Sequence, residues 1–511
     1  MKIAIRVDAS RAIGTGHVRR MIALAEALRT CGAQVRFVTR DLGLDVAGML
    51  AEAGFECALL PKPAGMPFES DVPHGQWAEV DQGSDAADTL IALAANTEWV
   101  VVDHYGFDAR WHRAVGQGAG CRIAVIDDLA DRSIDADVVI DHNFAPDHRA
   151  KYAGRIERRA SILGGPRFAL LGPAYADAPR HEPAAQVGSV GIFLGGVDQD
   201  NLSATALEAV DLAGFVGPVE IVSTTANPNL AALRVTAAKR PGTTVATDLP
   251  DLAAFFARHD IQIGAGGGAT WERCCIGAPT LLLVVADNQL AVAPALRNAG
   301  VVATPDPIRA LDPAAIAAAL GPLLDDTQRR QSLSERSRAL VDGRGARRVA
   351  LRLLADTLKV VPATLDHAEL THCWRDHPAT RGVSRNAEPI RWDDHLTWLT
   401  RTLDDSTRTL WIGIIGETPV GVIRFDRLND RSAEVSLYLD PTLHGLGLGR
   451  ALLLAGEAAA AAGIDVHAEV LEGNIGSAGL FDSTGYRRID ATHWIKPAAG
   501  RERTGMTDED R

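Results

Sequence analysis

Cysteine is scarce in this sequence, and the few cysteines form no pattern that points to chemistry. There are six in 511 residues, with no CxxC pair and no Cys/His spacing typical of a metal site. Only Cys274 and Cys275 are neighbours, and adjacent cysteines rarely form a disulfide. This usage is typical of reduced thiols in a cytosolic protein, so we expect no disulfides and no bound metal.

Excess positive charge and long apolar runs are missing as well. The formal net charge is −13, which leaves no broad basic field to neutralise the phosphates of a nucleic acid. No apolar run approaches the roughly 20 residues that span a bilayer, and the N-terminus lacks the apolar core of a signal peptide. We therefore expect a cytoplasmic protein without nucleic-acid or membrane partners. Any anionic nucleotide would have to be held locally, by backbone amides and a few cations.

The N-terminal part of the chain alternates short apolar strands with amphipathic helices, as a parallel α/β sheet requires. Its first strand alternates through Ile3, Ile5 and Val7 and then turns at Gly14-Thr15-Gly16 into a helix. Further short strands follow, each ending in an acidic residue. The pattern predicts a Rossmann-like domain over residues 1–180.

The same pattern restarts after a Pro/Ala-rich linker at residues 178–187. A strand at 190–194 leads into the turn Gly195-Gly196 and another helix. We predict a second Rossmann-like domain over residues 187–345. Such sheets bind ligands at the carboxyl ends of their strands.

The remainder of the chain belongs to a different class. A connecting helix and linker at 346–361 lead into residues 362–497, where an antiparallel pair around Gly416 is followed by a strand at 434–439 and an Ala-rich helix. This mixture predicts an α+β domain. The last residues, 498–511, form a polar tail that we expect to fray.

A histidine follows the first glycine turn. In Gly14-Thr15-Gly16-His17 the glycines allow close backbone approach, and the helix start offers free N–H groups and the positive end of the helix dipole. Histidine titrates near neutral pH, so His17 is a candidate base that takes a proton from water. The spacing is equally consistent with a polar residue of the first helical turn that has no catalytic role.

The second half contains a glycine-rich loop, Gly264 to Gly268, between a strand and a helix. Backbone amides in this position predict a cradle for a diphosphate, which includes Gly267, Gly268 and Thr270. Glu272, one turn into the helix, is a candidate acceptor for ribose hydroxyl groups. The alternatives are a flexible loop and a surface carboxylate.

Residues 1 to about 345 resemble a known family, the UDP-sugar hydrolases of pseudaminic acid biosynthesis. These enzymes have a GT-B fold and are related to the glycosyltransferase that completes lipid II. Ordered segments along the chain carry the resemblance: Arg6–Ser10, Ile13–Arg20, Val102–Tyr105, Ile126–Leu129, Leu171–Tyr175, Leu194–Asp198, Thr270–Cys275 and Ala286–Gln289.

The resemblance implies water attack at the anomeric carbon of UDP-2,4-diacetamido-2,4,6-trideoxy-β-L-altropyranose, with release of UDP and inversion. It implies that His17 is the base and that no metal is needed. It implies contacts to UDP and sugar from Gly14, Gly16, Gly195, Gly267, Gly268, Thr270, Glu272, Asn288 and Gln289. Paired carboxylates, as in common glycosidases, are not evident in the sequence.

Some positions depart from the family pattern. Gly267-Gly268-Ala269 stands where serines are common, so hydroxyl contacts to phosphate are replaced by backbone amides. His142 stands where a glutamine is expected, which affects the sugar pocket. Asp135-Ala136-Asp137 resembles a metal-binding DxD, but we interpret it as an ordinary strand edge. The candidates for orienting His17 or facing the diphosphate are Asp8, Arg19 and Arg20. For the two arginines, a structural ion pair is an equal alternative.

A second glycine turn, His444 to Gly449, lies between a strand and a helix, and amides at such a helix start can grip phosphates. A lone glycine pattern is weakly specific. Together with Asn474, Ser477 and Gly485-Tyr486, and with Cys373–Asp376 near the start, it resembles the GCN5-related N-acetyltransferases. The resemblance covers residues 362–497 and implies acetyl-CoA as co-substrate, bound by Leu437, Leu439, His444, Gly445, Gly447, Gly449 and Asn474.

The acid and base of this domain stay open. Phe481 stands where many members place the tyrosine that protonates the departing thiolate. Glu434 is a candidate base, with an exposed strand residue as the alternative. For His444 we favour phosphate contact or solvent exposure over chemistry.

The fusion predicts a bifunctional enzyme. Its acetyltransferase would acylate the 4-amino group of UDP-4-amino-4,6-dideoxy-N-acetyl-β-L-altrosamine, and its hydrolase would then remove UDP, as in the pathway that supplies sugar for flagellin glycosylation. Association with other enzymes of that pathway is a further expectation. The alternatives are a glycosyltransferase related to the lipid II enzyme with an unrelated acetyltransferase, a non-catalytic nucleotide-sugar binder, and the same chemistry on another nonulosonate precursor.

Overall fold

The computed structural model describes residues 1–63, 65 and 68–498. Residues 499–511, nearly all of the predicted polar tail, lie outside the described part. The chain divides into two units. One contains Lys2–Ala27 and Gln34–Val349, and the other contains the described residues from Ala350 onward with Met1 and Leu28–Ala33.

The first sheet is parallel throughout. Its strands are β1 (Lys2–Val7), β2 (Gln34–Arg40), β3 (Glu56–Leu60), β4 (Trp99–Asp103), β5 (Arg122–Ile126), β6 (Val138–Asp141) and β7 (Ser161–Gly164), in the order β3-β2-β1-β4-β5-β6-β7. Its helices are α1 (Gly16–Thr30), α2 (Val46–Glu52), α3 (Gln82–Ala92), α4 (Ala109–Ala119), α5 (His148–Lys151) and α6 (Pro173–Asp177), with 3-10 turns at Gly75–Ala78 and Pro166–Phe168.

The strand order reverses at β1, which pairs with β2 on one side and with β4 on the other. Helices cover both faces of such a sheet, so its central strands are apolar without alternation. All five residues of β4 are buried, for example. The gap between the carboxyl ends of β1 and β4 is the topological switch point, where open α/β sheets bind ligands.

The second sheet is also parallel. Its strands are β8 (Val190–Phe193), β9 (Val219–Ser223), β10 (Thr243–Thr247), β11 (Ile261–Ala265) and β12 (Thr280–Leu283), in the order β10-β9-β8-β11-β12. Its helices are α7 (Leu202–Leu212), α8 (Leu230–Ala238), α9 (Ala253–Arg258), α10 (Ala269–Ile276), α11 (Ala293–Asn298), α12 (Pro313–Asp325), α13 (Thr327–Leu340) and α14 (Gly345–Leu353), with 3-10 turns at Asp287–Ala291 and Ala355–Thr357. The predicted pair of Rossmann-like sheets is thus confirmed.

The third sheet is mixed. Its strands are β13 (Lys359–Pro362), β14 (Arg408–Ile415), β15 (Thr418–Asn429), β16 (Ser432–Leu439), β17 (Asp465–Glu469), β18 (Arg487–Arg488) and β19 (His493–Lys496), in the order β13-β14-β15-β16-β17-β19-β18. Among the described strands of this sheet, β16 and β17 pair in parallel and all other neighbours pair antiparallel. Its helices are α15 (Ala368–Asp376), α16 (Pro378–Arg381), α17 (Trp392–Asp404), α18 (Leu448–Ala460) and α19 (Ile475–Ser483), with 3-10 turns at Leu365–His367 and Pro441–Leu443.

The stretch before the third sheet differs from its prediction as a linker. Residues 359–361 belong to β13, which runs antiparallel to β14 with Val361 opposite Ile412. The sequence Lys359-Val360-Val361-Pro362 is too short to show the two-residue alternation that predicts a strand. Pro362 is tolerated because β13 lies at the sheet edge, where a strand needs no donor on its outer side.

Buried charges stabilise the first sheet. Asp85 of α3 accepts hydrogen bonds from Arg6 at 2.7 Å, from Arg40 at 2.9 Å and from the indole N–H of Trp111 at 3.0 Å. The charges of the two arginines outweigh burial and hold the pKa of Asp85 below its usual value. The carboxylate therefore remains ionised and compensates two cations inside the core.

Replacement of Asp85 by alanine is expected to lower the free energy of unfolding by about 3–5 kcal/mol, because two buried guanidinium groups lose the carboxylate that they share. Denaturant unfolding followed by circular dichroism measures the loss. Asp71→Asn is the matched control, since Asp71 pairs with Arg110 at the surface, where ion pairs contribute little. Equal effects of the two changes would contradict the assignment of Asp85 as a core counter-ion.

Candidate active sites

His17 lies in the first turn of α1, and its ring faces the carboxyl end of β4. Its Nδ1 is 2.7 Å from Oδ1 of Asp103, the last residue of β4. The Asp103 side chain is completely buried, whereas 13% of the His17 side chain is exposed. Burial raises the pKa of Asp103, but the charge of Arg20 and the hydrogen bonds from Arg20 and His17 outweigh it and hold that pKa well below the usual value.

An ionised carboxylate only accepts hydrogen bonds, and Oδ1 of Asp103 at 2.7 Å lies nearer to Nδ1 of His17 than Nη2 of Arg20 does at 3.0 Å. We therefore assign the proton to Nδ1, which donates it to Asp103. The lone pair of the imidazole is then on Nε2. This is the tautomer that a general base requires. The arrangement has a histidine oriented by a buried carboxylate at the switch point of the sheet.

Arg20 completes the environment of Asp103. Its Nε and Nη2 donate to the two carboxylate oxygens of Asp103 at 2.6 and 2.5 Å. The hydroxyl of Tyr105 donates to Asp128 at 2.5 Å, and the amide of Asn143 donates to the other oxygen of Asp128 at 2.9 Å. These hydrogen bonds link the ends of β4, β5 and β6 around the His17–Asp103 dyad.

The other charged residues near the first turn have structural contacts. Asp8 accepts hydrogen bonds from the side chain of Arg6 and from the backbone N–H of Arg40 at 2.7 Å, so it ties β1 to β2. Arg19 donates to the carbonyl of Pro250 at 3.0 Å. Among Asp8, Arg19 and Arg20, only Arg20 contacts Asp103, the carboxylate that also binds His17.

Aromatic rings form a wall beside the dyad. The rings of Tyr105 and Trp77 meet the imidazole of His17 edge to face, at centroid distances of 5.0 and 6.3 Å. Trp77 also packs against His74 at 4.7 Å. One side of the His17 imidazole is therefore apolar.

The glycine-rich loop connects β11 with α10. Gly267 and Gly268 are exposed, and a Cβ placed on Gly268 has no heavy atom within 4 Å. Open space therefore lies over the first amides of α10, where the helix dipole favours an anion. Gly14 and Gly195 follow the first strands of their sheets with φ of +77° and +100°, a conformation that favours glycine. Gly16 begins α1.

Two predicted ligand contacts are engaged within the protein. The hydroxyl of Thr270 donates to the carbonyl of Ala265 at 3.3 Å. The Oε1 of Gln289 accepts from the backbone N–H groups of Gly266 and Val285 at 3.2 and 2.9 Å, which braces the glycine loop. Asn288 is exposed in the neighbouring 3-10 turn.

Glu272 lies in the first turn of α10, near the hydroxyl of Tyr175. Burial raises the pKa of Glu272. Its Oε2 is buried and has no hydrogen-bond partner within the described residues. A ligand hydroxyl would satisfy this acceptor, which is costly to leave unpaired. The indole of Trp271 beside it donates to Asn143 at 3.2 Å and so connects α10 with the histidine network.

In the second unit, β16 and β17 separate after a short parallel pairing. Ser432–Val435 pairs with Asp465–Ala468, but Ser436–Leu439 pairs only with β15 among the described residues. A cavity of about 1400 Å³ opens at the gap. All residues predicted to bind acetyl-CoA line it: Leu437, Leu439, His444, Gly445, Gly447, Gly449 and Asn474.

The glycine turn before α18 has the geometry of an anion cradle. Gly445 and Gly447 adopt φ of +82° and +77°, and α18 begins at Leu448. Phe481 lines the cavity and packs edge to face on Tyr486 at 4.8 Å. The hydroxyl of Tyr486 donates to Glu457 at 2.7 Å and is therefore engaged elsewhere. Glu434 lines the same cavity.

Neither a metal site nor a membrane span is found in the described part of the chain. No group of three or more His, Cys, Asp or Glu side chains there is placed to hold a metal ion. Asp135 pairs with Arg113 and Arg158, and Asp137 pairs with Arg158, as a strand-edge role requires. No helix among residues 1–63, 65 and 68–498 has the length and hydropathy needed to cross a bilayer.

The two kinds of unit define a class of protein: a GT-B-like pair of Rossmann-like sheets followed by an acetyltransferase domain. Residues 371–486 match the Acetyltransferase (GNAT) family. A GNAT domain implies acetyl-CoA as co-substrate.

The chain is similar to two curated proteins. It is 23% identical over 352 residues to the spore coat polysaccharide biosynthesis protein SpsG of Bacillus subtilis (strain 168), covering 68% of this chain and 96% of SpsG. It is 32% identical over 79 residues to acetyltransferase PseH of Campylobacter jejuni subsp. jejuni serotype O:23/36 (strain 81-176), covering 16% of this chain and 50% of PseH. The predicted combination of a GT-B-like region with a GNAT acetyltransferase is confirmed.

A crystal structure of MurG from Acinetobacter baumannii is similar with a TM-score of 0.48 and 14% identity, covering 68% of this chain and 98% of MurG.

Several site residues were not predicted as such from the sequence. Asp103, Asp128 and Asn143 follow or end apolar strands, and Trp77 and Tyr175 lie in loops or short helices. A polar residue at the carboxyl end of a buried strand is the signal that identifies the first three.

Proposed function

We propose that this chain hydrolyses UDP-2,4-diacetamido-2,4,6-trideoxy-β-L-altropyranose and acetylates the 4-amino group of its UDP-linked precursor. The hydrolase consists of the domains predicted at residues 1–180 and 187–345, and the acetyltransferase is the domain predicted at 362–497. The observation that supports hydrolysis most is the His17–Asp103 pair at the switch point of the first sheet.

In the proposed hydrolysis, Nε2 of His17 takes a proton from water as the water oxygen attacks the anomeric carbon. The bond between that carbon and the phosphate oxygen breaks, and UDP leaves with the electron pair. UDP is already a good leaving group, so no strong acid is required. Asp103 stabilises the imidazolium that forms, and the amides at the start of α10 hold the diphosphate.

In the proposed acetylation, the amine of the sugar attacks the acetyl carbonyl, and CoA leaves as the thiolate or takes a proton. Glu434 is the candidate that accepts the proton of the amine. Phe481 offers no hydroxyl to the thiolate. The glycine turn before α18 holds the diphosphate of acetyl-CoA.

The test gives the purified chain acetyl-CoA and UDP-4-amino-4,6-dideoxy-N-acetyl-β-L-altrosamine and follows the reaction by NMR. We expect N-acetylation first and loss of UDP afterwards. Failure of both steps would refute the proposal. UDP loss that needs a sugar or lipid acceptor instead of water would indicate a glycosyltransferase.

Gly268→Ala tests the diphosphate cradle. The added methyl has room in the protein, since Gly268 has helical φ and ψ of −54° and −34° and open space around it. It would project into the volume proposed for phosphate, so we expect KM for the UDP-sugar in hydrolysis to rise about tenfold, or ~1.4 kcal/mol.

Gly321→Ala, in α12 and with equally open surroundings, is the matched control and should leave KM unchanged. Thermal melting checks that both variants fold. If Gly268→Ala melts normally and binds the UDP-sugar like the unmodified chain, the phosphate does not approach this loop.

A further inference from the structure

Three polar groups in the acetyltransferase cavity lack a partner. They are Nη1 of Arg375 on α15, Nε of Arg424 on β15 and the hydroxyl of Tyr438 on β16. Each atom is buried, and none has a hydrogen-bond partner among residues 1–63, 65 and 68–498. All three residues line the cavity. Buried polar groups are normally satisfied, so a cluster of three on different elements points to a ligand.

These groups lie on the face of the sheet opposite α18. Tyr438 is paired with Val422, and both belong to the cluster that packs against α15 and α17. Ile423 lies between Val422 and Arg424 on β15, so its side chain points to the opposite face of the sheet, where it contacts Gly456 of α18. The glycine turn that precedes α18 is therefore separated from Tyr438 by the sheet.

The cluster favours an anion. Arg375 has no carboxylate within salt-bridge distance in the described part of the chain, and Arg424 has Asp426 at 2.9 Å on Nη2 alone. Both guanidinium groups lie near enough to the Tyr438 hydroxyl to lower its pKa, but burial outweighs them and raises it. The hydroxyl thus stays protonated and can donate. Arg424 also lies over the ring of Trp398, at 5.9 Å, which fixes its position.

We propose that Arg375, Arg424 and Tyr438 form an anion subsite that binds the phosphates of a nucleotide-linked amino sugar during acetylation. The inference rests on the proposed acetyltransferase function. Three donors and two cations match a phosphate group, and the planar guanidinium group suits a charged oxygen acceptor. It follows that the domain acetylates the sugar while the nucleotide is attached, since hydrolysis removes the phosphates that these residues recognise.

The kinetic test uses the full chain carrying His17→Asn, so that UDP is not lost during the assay. Acetyl transfer is followed by thiol release, with either the UDP-linked 4-amino sugar or the same sugar without phosphate as acceptor. We expect Arg375→Gln and Arg424→Gln each to raise KM for the UDP-linked acceptor at least tenfold. KM for acetyl-CoA and the rate with the free sugar should stay within about twofold.

Arg401→Gln is the matched control, because Arg401 is exposed on α17 and does not line the cavity. The proposal is overturned if the two variants behave like this control. It is also overturned if they raise KM for acetyl-CoA, which would assign the cations to the phosphates of CoA, or if they impair both acceptors equally.

A titration with UDP separates this proposal from the proposed activity. In the presence of saturating acetyl-CoA, calorimetry should find two UDP sites per chain, and Arg375→Gln should leave one. Two sites without any acetyl transfer would refute the activity but retain the anion subsite. A single site in the unmodified chain, or two sites in the variant, would refute the subsite.

Discussion

Replacing His17 by asparagine is expected to slow UDP release by about 10²–10⁴-fold, the usual contribution of a general base. Asparagine can still donate a hydrogen bond to Asp103, so the buried carboxylate keeps a partner and the fold should persist. What disappears is the lone pair on Nε2. Release of UDP from the UDP-diacetamido sugar, followed by NMR, measures the effect.

Two observations distinguish lost chemistry from lost structure. Acetylation of the amino sugar by the same preparation should be unchanged, since that cavity is lined entirely by residues of the other unit. His377→Asn makes the same chemical change at an exposed histidine that caps α16, a position where asparagine also caps well, and should leave both reactions intact. Hydrolysis at the unmodified rate in His17→Asn would remove His17 from its role.

The sequence predicts most of the elements that position the first site because their signals are local. The alternation of β1, the glycine turn and the apolar face of α1 lie within thirty residues of the N-terminus. The same holds for β11, its glycine loop and α10. Local periodicity and turn chemistry are sufficient to place His17 and Gly268 at the carboxyl ends of strands.

The partner of His17 could not be assigned in this way. Asp103 is 86 residues away, and it is adjacent to His17 only because β4 crosses over to pair with β1. Several strands end in acidic residues, and the strand order decides which one meets the histidine. Once the order is known, Asp103 is the residue at the switch point, whereas Asp141 ends β6 and pairs with Lys151.

Other contacts depend on residues that are distant in the sequence. Gln289 was predicted to contact the sugar, and its side-chain oxygen accepts from the backbone N–H of Gly266, 23 residues earlier. Tyr438 reads as one residue of an ordinary strand. It becomes a candidate site residue only because α15 and β15 bring Arg375 and Arg424 into the same cavity. Neither relation has a local sequence signal.

Asp103→Asn should abolish hydrolysis nearly as completely as the loss of the histidine, by about 10²–10⁴-fold. Arg20 donates to both oxygens of Asp103, so the asparagine amide loses one Arg20 contact in either orientation. With its oxygen toward Nε of Arg20, its nitrogen lies at the position of Oδ1 and donates to Nδ1 of His17. Nδ1 then becomes the acceptor, and the imidazole proton moves to Nε2. The ring stays in place but presents water with a donor instead of a base.

A double-mutant cycle tests whether Asp103 acts through His17. In the His17→Asn background, Asp103→Asn should cause little further loss of UDP release, because the group that it orients is already gone. Thermal melting of all three variants reports the separate cost of weakening the Arg20 contact. If the losses of the two single variants instead multiply in the double variant, Asp103 contributes to catalysis or folding independently of the histidine. If Asp103→Asn leaves UDP release unchanged, the tautomer of His17 is set by another group.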